Sequence, residues 1–461
     1  MKIGIDFGTT HTTAAYFNGE RLQPIPLDLQ NRDPHLLRTM LYITREHEVV
    51  LGLAAVHRYL EDNTGRLAVF VPKVVGTVEN TVARMGRHPL EPDGPITFIQ
   101  EVIIEEDVGA PGRLLQSIKT ALRDHSYTGT TIYDRFYTIQ ELIAEILRHV
   151  KQQAEFTLAQ PVSEVMLGRP VRFADDPVTD TRAEQRLREA AMLAGFSDVS
   201  FLPEPVAAAH FYTRQTPNPQ TVLVFDFGGG TLDLTVMSIP AAEHNGHARA
   251  QHFQATEGVL VGGDDFDSAI MRDHVARSFG VESHIDSAGH PFPAHLAGKL
   301  YQWQTIPELS KMHALPLIRR ARRFGNNPAG FTALETLVTK NYGFALFENI
   351  ERAKRRLSTA TETTITMQAE DINLSVPLTR AQFQASIGDG MAQVQRGLSA
   401  ILQAAGLAPE AISVVVTTGG SSLIPIFQQI LRRRFAAADH VHSDTFGSVA
   451  AGLAIQAHAH E

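Results

Sequence analysis

The sequence predicts an α/β fold with two similar lobes that face each other across a cleft. Three observations lead to this prediction. Strand and helix patterns alternate along the chain, two blocks open with the same strand-turn-strand pattern around Asp-Phe-Gly, and 461 residues suit two or three domain-sized units. Such an internal repeat indicates similar lobes, and the cleft between them is the default ligand site.

The first block places Asp6 at the end of a strand, before Phe7 and a Gly-Thr-Thr turn. Glycine lets the backbone approach an anion, and the turn N–H groups and threonine hydroxyls can donate to phosphate oxygens. A carboxylate would repel phosphate unless a divalent cation lay between them. Asp6 therefore implies magnesium, bound largely through its own waters. Taken alone, the pattern also fits an ordinary hairpin.

The second block repeats this pattern at residues 226–233, where Asp226 precedes a Gly-Gly-Gly-Thr turn and Asp233 follows it. Two facing turns of this kind could clamp the β- and γ-phosphates of a nucleotide, with their metal, from opposite lobes. Other phosphate-binding patterns do not fit. The Gly-Lys pair at residues 298–299 is followed by leucine, and no Gly-x-Gly-x-x-Gly opens a helix.

Two further patterns gain meaning only beside these hairpins. A glycine turn at residues 419–421 lies between a buried strand and an apolar helix, and by itself it fits a plain strand-to-helix loop. A predicted helix places four polar side chains on one face, and such a face is usually solvated. These side chains are Glu351, Lys354, Arg355 and Ser358.

The composition excludes several classes of protein. The formal net charge of -9 gives no basic surface for nucleic acid, and no run reaches the roughly 18 apolar residues of a membrane helix. The absence of cysteine excludes disulfides, thiol catalysis and cysteine-bound zinc. The first residues lack the pattern of a secretion signal. We therefore expect a cytoplasmic protein without nucleic-acid or membrane partners.

Six motifs occur in an order that resembles a known family. They are IGIDFGTT, FLPEPVAAA, VFDFGGGTLDL, VGGDDFD, ERAKRRLS and TTGGSSLIP. Over nearly its whole length the chain is similar to the nucleotide-binding domain of the 70-kDa heat-shock (DnaK-type) chaperones, and it looks like their YegD-like branch. The resemblance implies an actin-like ATPase fold, with ribonuclease H-like duplicated lobes and an ATP cleft between them.

The same resemblance implies the domain organisation. Lobe I would span residues 1–217 with an inserted subdomain at about 38–135, and lobe II would span 218–443 with an inserted subdomain at about 262–394. Residues 444–461 would return to lobe I. No second β-rich block follows residue 440, so we expect no substrate-binding domain.

The resemblance also implies a role for each matching residue, with ATP or ADP and Mg²⁺ as cofactors and K⁺ as a further candidate ion. The metal site would contain Asp6, Asp226, Asp233 and Glu204. The catalytic residues would be Lys119, Glu204, Asp226 and Thr231. The phosphates would contact Thr9, Thr10, His11, Gly228, Gly229, Gly230 and Thr231, and Asp6 and Gly8 would belong to the same cofactor site. The rest of the nucleotide would contact Gly263, Glu351, Lys354, Arg355, Ser358, Gly419, Gly420 and Ser421.

Two of these assignments carry a specific chemical role. Lys119 would stabilise charge at the transferring phosphate; its motif match is looser than the others, and a surface helix lysine is the alternative. Arg355 would stack on one face of the adenine.

Three functions fit this sequence. The first is an ATP-binding, ATP-hydrolysing DnaK-like chaperone protein, expected as a monomer, whose partners would be unfolded proteins, a co-chaperone or an exchange factor. The second is an actin-like nucleotide-dependent filament or cell-shape protein. The third is a sugar or acid kinase of the same superfold. The motifs FLPEP and ERAKRRLS favour the first function.

Two features depart from the family pattern. Leu423 stands where the family usually carries an arginine that stacks on adenine, which predicts weak selection of the base. The stretch from about 281 to 345, which includes the single tryptophan Trp303, is longer than the family's equivalent. We interpret it as a surface insertion, with a partner-docking element as the alternative.

Overall fold

The computed structural model describes residues 1–84, 94–124, 126–174, 176–213, 219–240, 252–311, 313–442 and 447–459. In chain order its strands are β1 (Lys2–Phe7), β2 (His11–Phe17), β3 (Leu22–Pro24), β4 (Leu37–Arg38), β5 (Met40–Thr44), β6 (Val49–Leu51), β7 (Phe70–Arg84), β8 (Gly94–Asp107), β9 (Gly112–Gln116), β10 (Gly129–Ile132), β11 (Arg135–Thr138), β12 (Glu164–Arg169), β13 (Asp198–Pro203), β14 (Gln220–Phe227), β15 (Leu232–Ile239), β16 (His252–Val259), β17 (Glu362–Ala369), β18 (Ile372–Thr379), β19 (Val414–Thr418) and β20 (Asp439–His442).

The helices alternate with these strands. They are α1 (Gly52–Asn63), α2 (Ile139–Leu158), α3 (Pro177–Leu193), α4 (Glu204–Thr213), α5 (Gly263–Ile270), α6 (Ala294–Ala297), α7 (Ala314–Phe324), α8 (Pro328–Thr339), α9 (Gly343–Leu357), α10 (Arg380–Ser386), α11 (Gly388–Ala405), α12 (Pro425–Arg434) and α13 (Ser448–Ala459). The predicted α/β class is therefore confirmed. None of the described helices combines the length and the apolar character needed to cross a membrane.

Two sheets repeat one topology. The first has the order β3-β2-β1-β12-β13, with β4 beside β2, and the second has the order β16-β15-β14-β19-β20. In both orders the first two pairings are antiparallel and the last two are parallel. The repeat of the Asp-Phe-Gly blocks is thus part of a repeat of whole sheets. We call the halves built on the first and second sheet lobe I and lobe II.

The central strands are apolar because helices cover both of their faces. In β1, Ile3, Ile5 and Phe7 are fully buried, and they join the side chains of α2 and α3 in one hydrophobic cluster. Helix α13 packs on the opposite face against β1, β2 and β12. The contact is close enough that a Cβ at Gly4 would lie 2.3 Å from the backbone nitrogen of Ala454. The end of the chain therefore packs on lobe I.

Smaller elements are inserted into both lobes. Between β4 and β12, a three-stranded sheet of order β6-β5-β9 packs against α1, and β7 pairs with β8 in a long hairpin. Between β16 and β19, lobe II contains α5 to α11 and the β17-β18 hairpin. These insertions extend the two sides of the cleft.

The stretch from 281 to 345 is not a surface insertion, and that interpretation is wrong. Leu300, Ile306, Leu309, Leu334 and Leu337 are at most 1% exposed and belong to the hydrophobic core of lobe II. The helices in this stretch are short, so their apolar residues form no long periodic run in the sequence. Burial here is decided by packing against the rest of lobe II.

Candidate functional site

Both lobes carry the same turn at the end of their central strand. In lobe I the Gly8 N–H donates to the carbonyl of His11 over 3.0 Å, and in lobe II the Gly228 N–H donates to the carbonyl of Thr231 over 3.0 Å. The flanking strands stay in register up to each turn. Each turn is therefore a four-residue loop closed by one hydrogen bond, and the sequence repeat produces two turns of matching backbone.

The two turns approach each other closely. A Cβ at Gly229 would lie 2.2 Å from Oγ1 of Thr10 in the other lobe, and a Cβ at Gly262 would lie 2.2 Å from the carbonyl oxygen of Gly229. The atoms that a Cβ at Gly262 would meet are backbone, so that position requires glycine, whereas at Gly229 the Thr10 hydroxyl would have to turn aside. The glycines let lobe II bring its turn against lobe I, and both turns line one cavity.

Four carboxylates line this cavity beside the turns: those of Asp6, Glu204, Asp226 and Asp233. Burial, followed by the charge of Glu204, raises the pKa of Asp6 to about 7 and the pKa of Asp233 to about 7. The same two causes raise the pKa of Asp226 well above its usual value. The protein alone therefore leaves an excess of buried negative charge here, which a cation would balance.

Lys119 is a buried cation among these carboxylates. It lies on a 3₁₀ turn, Ile118–Arg123, and its Nζ donates to Oε1 of Glu204 over 2.6 Å. Burial disfavours its charge, but Glu204 and Asp6 outweigh burial and raise the pKa of Lys119. The structure thus places Lys119 inside the cleft and holds it charged, and the alternative of a surface helix lysine is wrong.

An ion pair joins the two lobes next to the first turn. Arg38, on β4, donates to the two carboxylate oxygens of Glu348 at 2.9 and 3.0 Å and to Glu351 at 3.3 Å. Both glutamates lie on α9 of lobe II.

Burial, followed by the charges of Arg355 and Arg38, lowers the pKa of His11 to about 3. The His11 ring is therefore neutral near neutral pH.

The polar face of α9 reaches the cavity, where its charged groups pair with the protein. Lys354 Nζ donates to Oδ2 of Asp267 over 2.6 Å and to the carbonyl of Gly263 over 2.7 Å. Arg355 pairs with Glu351 one helical turn away. The face predicted from helical spacing is therefore a wall of the cavity, and a ligand would compete with the ion pairs on it.

The glycine turn after β19 supports the second hairpin. Gly419 has φ of 80°, which favours glycine, and a Cβ there would lie 2.3 Å from the carbonyl oxygen of Phe227. The Ser421 hydroxyl donates to the carbonyl of Gly228 over 2.7 Å. Leu423 lines the cavity and remains 42% exposed. This wall thus presents a leucine side chain to the cavity.

One cavity of about 500 Å³ brings all of the predicted site residues together, and its size suits a nucleotide. They are Asp6, Gly8, Thr9, Thr10, His11, Lys119, Glu204, Asp226, Gly228, Gly229, Gly230, Thr231, Asp233, Gly263, Glu351, Lys354, Arg355, Ser358, Gly419, Gly420 and Ser421. Within the described part of the chain, no three His, Asp or Glu side chains form a group that could hold a metal ion. A cation in this cavity would therefore depend on water and ligand oxygens.

Several lining residues escaped the sequence argument, including Thr120, Arg123, Arg172 and Asp264. Asp264 follows Gly263 directly, and burial raises its pKa to about 6. Its place in the Gly-Gly-Asp-Asp run was a usable signal. Arg123 lies on the same 3₁₀ turn as Lys119, whereas Arg172 follows β12 in a loop that carries no recognisable pattern.

The fold and the cavity define a two-lobed protein with a nucleotide-sized site between sheets of the same topology. The model of the family described as Hsp70 protein matches residues 112–294 and 339–461, which is more than half of the chain. The chain therefore belongs to the Hsp70 family. Membership implies the actin-like ATPase fold and supports an ATP-binding, chaperone-type protein, since the family generally binds ATP or ADP with Mg²⁺.

Proposed function

We propose that this protein is a magnesium-dependent ATPase of the DnaK-like chaperone type, in the YegD-like branch of the family. One observation carries the proposal. Two matching turns, each preceded by an aspartate, face one cavity from opposite lobes with a buried lysine beside them. One such turn suits a single anion, whereas two facing turns suit adjacent phosphates.

The carboxylates of the cavity fit a hydrated magnesium ion. Asp6 and Asp226 would hold it through its waters, with Glu204 and Asp233 in the surrounding shell. The raised pKa values of the three aspartates support this assignment, because they indicate negative charge that the protein does not balance. A bound magnesium ion would supply neutralising charge for the phosphates.

The chain's own groups would position the reactants. The N–H groups of the turns at 8–11 and 228–231 would donate to phosphate oxygens, and Thr231 would lie near the γ-phosphate. Lys119 would donate to the oxygens of the transferring group, while Glu204 fixes its ammonium by the 2.6 Å contact. Catalysis would then rest on orientation and electrostatics, without a covalent intermediate.

The adenosine would lie against α9 and the turn at 419–421. Arg355 would stack on one face of the adenine, opposite Leu423, and the ribose would lie near Lys354 and Glu351. The ion pairs of these residues with the protein would have to rearrange, which supports weak rather than strong selection of the base.

Family membership favours the chaperone-type role over a filament protein or a sugar kinase. ATP bound to both lobes would bias their closure, so that the nucleotide state becomes a conformational signal. Unfolded proteins, a co-chaperone or an exchange factor would respond to that signal. We propose that lobe I comprises residues 1–217, that lobe II comprises 218–443, and that 444–461 complete lobe I.

Single-turnover hydrolysis of ATP with magnesium tests this function. We expect Lys119→Ala and Asp226→Ala to lower the rate by about 10²- to 10³-fold, the usual loss when one electrostatic contact to the transition state is removed. Lys2→Ala is a matched control, because it breaks a 3.3 Å lysine–carboxylate pair with Asp198 elsewhere in lobe I. Tight ATP binding without hydrolysis by the wild type would contradict the ATPase and indicate a nucleotide-gated binding protein.

A further inference from the structure

Lobe II touches the inserted sheet of lobe I through aromatic side chains. The ring centroid of Trp303 lies 6.2 Å from that of Tyr59 on α1 and 4.9 Å from that of Phe344 on α9. Tyr59 and Phe344 are themselves 5.3 Å apart with nearly perpendicular rings. Edge-to-face packing at these distances is favourable. The three rings therefore form a direct contact between the lobes, which we call the aromatic bridge.

The aromatic bridge ends in a hydrogen bond to the strand that leads to Lys119. Nε1 of Trp303 donates to Oε1 of Gln116 over 2.9 Å, and Gln116 is the last residue of β9. β9 is held in register against β5, where Gln116 lies opposite Met40. Neither Trp303 nor Gln116 lines the cavity. The hydrogen bond between Trp303 and Gln116 therefore lies outside the cavity and holds the end of β9, the strand that leads to Lys119.

The next residue makes a second contact with lobe II. Ser117 has φ of 55°, an unfavourable left-handed conformation for a residue with a side chain, and its hydroxyl donates to Oδ2 of Asp264 over 3.4 Å. The 3₁₀ turn with Lys119 begins directly after it. Lobe II thus holds two consecutive residues, Gln116 and Ser117, just before the lysine whose ammonium contacts Glu204.

We propose that Trp303 is a positioning residue for Lys119, acting through Gln116. The proposal rests on the proposed ATPase function for its catalytic consequence, but the structural coupling does not depend on turnover. Trp303 lies between residues 294 and 339, in the part of the chain that the family model leaves unmatched. The unmatched segment thereby supplies a hydrogen-bond donor to Gln116, which lies three residues before Lys119 in the chain.

The physical basis is the short connection between the two residues. Three residues span at most about 10 Å of extended chain, so a shift of Gln116 passes directly to Lys119. Displacing a catalytic group by about 1 Å can cost about 10²-fold in rate. When the lobes close, Trp303 fixes the end of β9. When they separate, the Gln116 hydrogen bond and the Ser117 contact are lost together.

The first arm of the test measures hydrolysis. Trp303→Phe keeps an aromatic ring but removes the indole N–H, and Gln116→Leu removes the acceptor. We expect each to lower the single-turnover rate about five- to tenfold, equivalent to one neutral hydrogen bond, with ATP affinity unchanged within about twofold. The double variant should be no slower than either single variant, because both remove the same contact.

The control for this arm is Thr305→Val, which removes hydroxyl hydrogen bonds to the carbonyls of Lys299 and Gln302 within the same segment. It should retain the wild-type rate. Additive losses in the double variant, or wild-type rates in both single variants, would overturn the proposal. A loss of ATP affinity in place of a loss of rate would also overturn it, since that pattern indicates a general disturbance of the cleft.

The second arm requires no turnover and uses the single tryptophan as the probe. Coupling between two sites is reciprocal, so Lys119→Ala should shift the emission of Trp303 in nucleotide-free protein, and Gln116→Leu should abolish that shift. Lys2→Ala should leave the emission unchanged. Identical emission in wild type and Lys119→Ala would overturn the coupling. If the wild type binds ATP without hydrolysing it, the ATPase fails while this arm still decides whether Trp303 and Lys119 are linked.

Discussion

The two ends of the cavity are built in different ways. The hairpin end, formed by the turns at 8–11 and 228–231 with their carboxylates, draws on both lobes and repeats one backbone geometry. The helix end, formed by α9 and the turn at 419–423, belongs to lobe II alone. At the hairpin end Asp6, Asp226 and Asp233, whose pKa values are raised, share one buried lysine. At the helix end Lys354 and Arg355 each have a carboxylate partner of their own, although burial also raises the pKa of Asp267 to about 7.

This difference indicates where a nucleotide would gain most of its interaction energy. A magnesium-bound phosphate group at the hairpin end would balance charge that the protein leaves unbalanced. An adenosine at the helix end would instead displace existing ion pairs, which offsets much of the gain. We therefore expect metal dependence and catalysis to depend strongly on the hairpin end, and base selection to be weak.

The largest expected effect separates the two ends. Asp6→Asn and Asp226→Asn at the hairpin end should each lower single-turnover hydrolysis by about 10²-fold or more, because each removes charge that would hold the metal. Asp267→Asn, which removes the carboxylate paired with Lys354 at the helix end, should lower the rate at which bound ATP is hydrolysed by less than about tenfold. Quench-flow measurement at saturating ATP checks both. Equal losses at the two ends would contradict the comparison.

The next effect concerns the ion pair that connects the lobes. Arg38→Met should lower the free energy of unfolding by about 2 to 3 kcal/mol, because it leaves Glu348, only 19% exposed, without its ion-pair partner and leaves Glu351 with Arg355 alone. Urea denaturation measures this loss. Adding Glu348→Gln should recover part of it, since one uncompensated charge is removed.

The control for Arg38 is Arg58→Met, because the Arg58 side chain is 53% exposed and its partner Asp62 keeps a hydrogen bond from the Tyr42 hydroxyl. That variant should remain close to the wild type in stability. A loss as large as that of Arg38→Met would show that removal of any arginine has this effect.

A smaller effect has the opposite sign. In nucleotide-free protein at pH 7, Asp226→Asn should raise the melting temperature by a few degrees, because burial and Glu204 raise the pKa of Asp226 and make its charged form costly. The gain should be about 1 kcal/mol. Differential scanning calorimetry tests it, and Asp286→Asn, at a carboxylate whose charge His290 stabilises, serves as the comparison and should not raise the melting temperature. A lower melting temperature would mean that this carboxylate stabilises the protein before any ligand binds.

The smallest effect lies at the helix end. The wild type should bind ATP and GTP within about tenfold of each other, and Leu423→Arg should raise ATP affinity about three- to tenfold by placing a cation over the adenine. Leu423→Gln, which brings polarity without charge, should have little effect. Isothermal titration calorimetry with both nucleotides decides this. Tight ATP binding by the wild type with no GTP binding would contradict weak base selection.

The hairpin end could be read from the sequence because its determinants are contiguous. An aspartate, a glycine turn and two strands follow one another within residues 2–17 in lobe I and 220–239 in lobe II, and the backbone of these turns is the geometry proposed to bind phosphate. Lys119 rested on a loose motif, and its partner Glu204 lies 85 positions away in the chain. Such a pairing depends on where the start of α4 and the 3₁₀ turn lie relative to each other, which no local pattern specifies.

The helix end was predictable only in part. The spacing of Glu351, Lys354 and Arg355 placed them on one face, as the structure shows. Arg38 and Asp267, which pair with Glu351 and Lys354, come from distant elements. Trp303 was recognised only as a lone tryptophan. Its contacts with Tyr59 and Gln116 depend on the relative position of two lobes, which is a tertiary property.

A crystal structure of the protein with ADP, magnesium and beryllium fluoride would test the central claim most directly. The account predicts that the β-phosphate and the fluoride group lie between the turns at 8–11 and 228–231, with Lys119 in contact with the fluoride group. A nucleotide whose phosphates touch the turn of only one lobe, or lie outside the cleft, would contradict it.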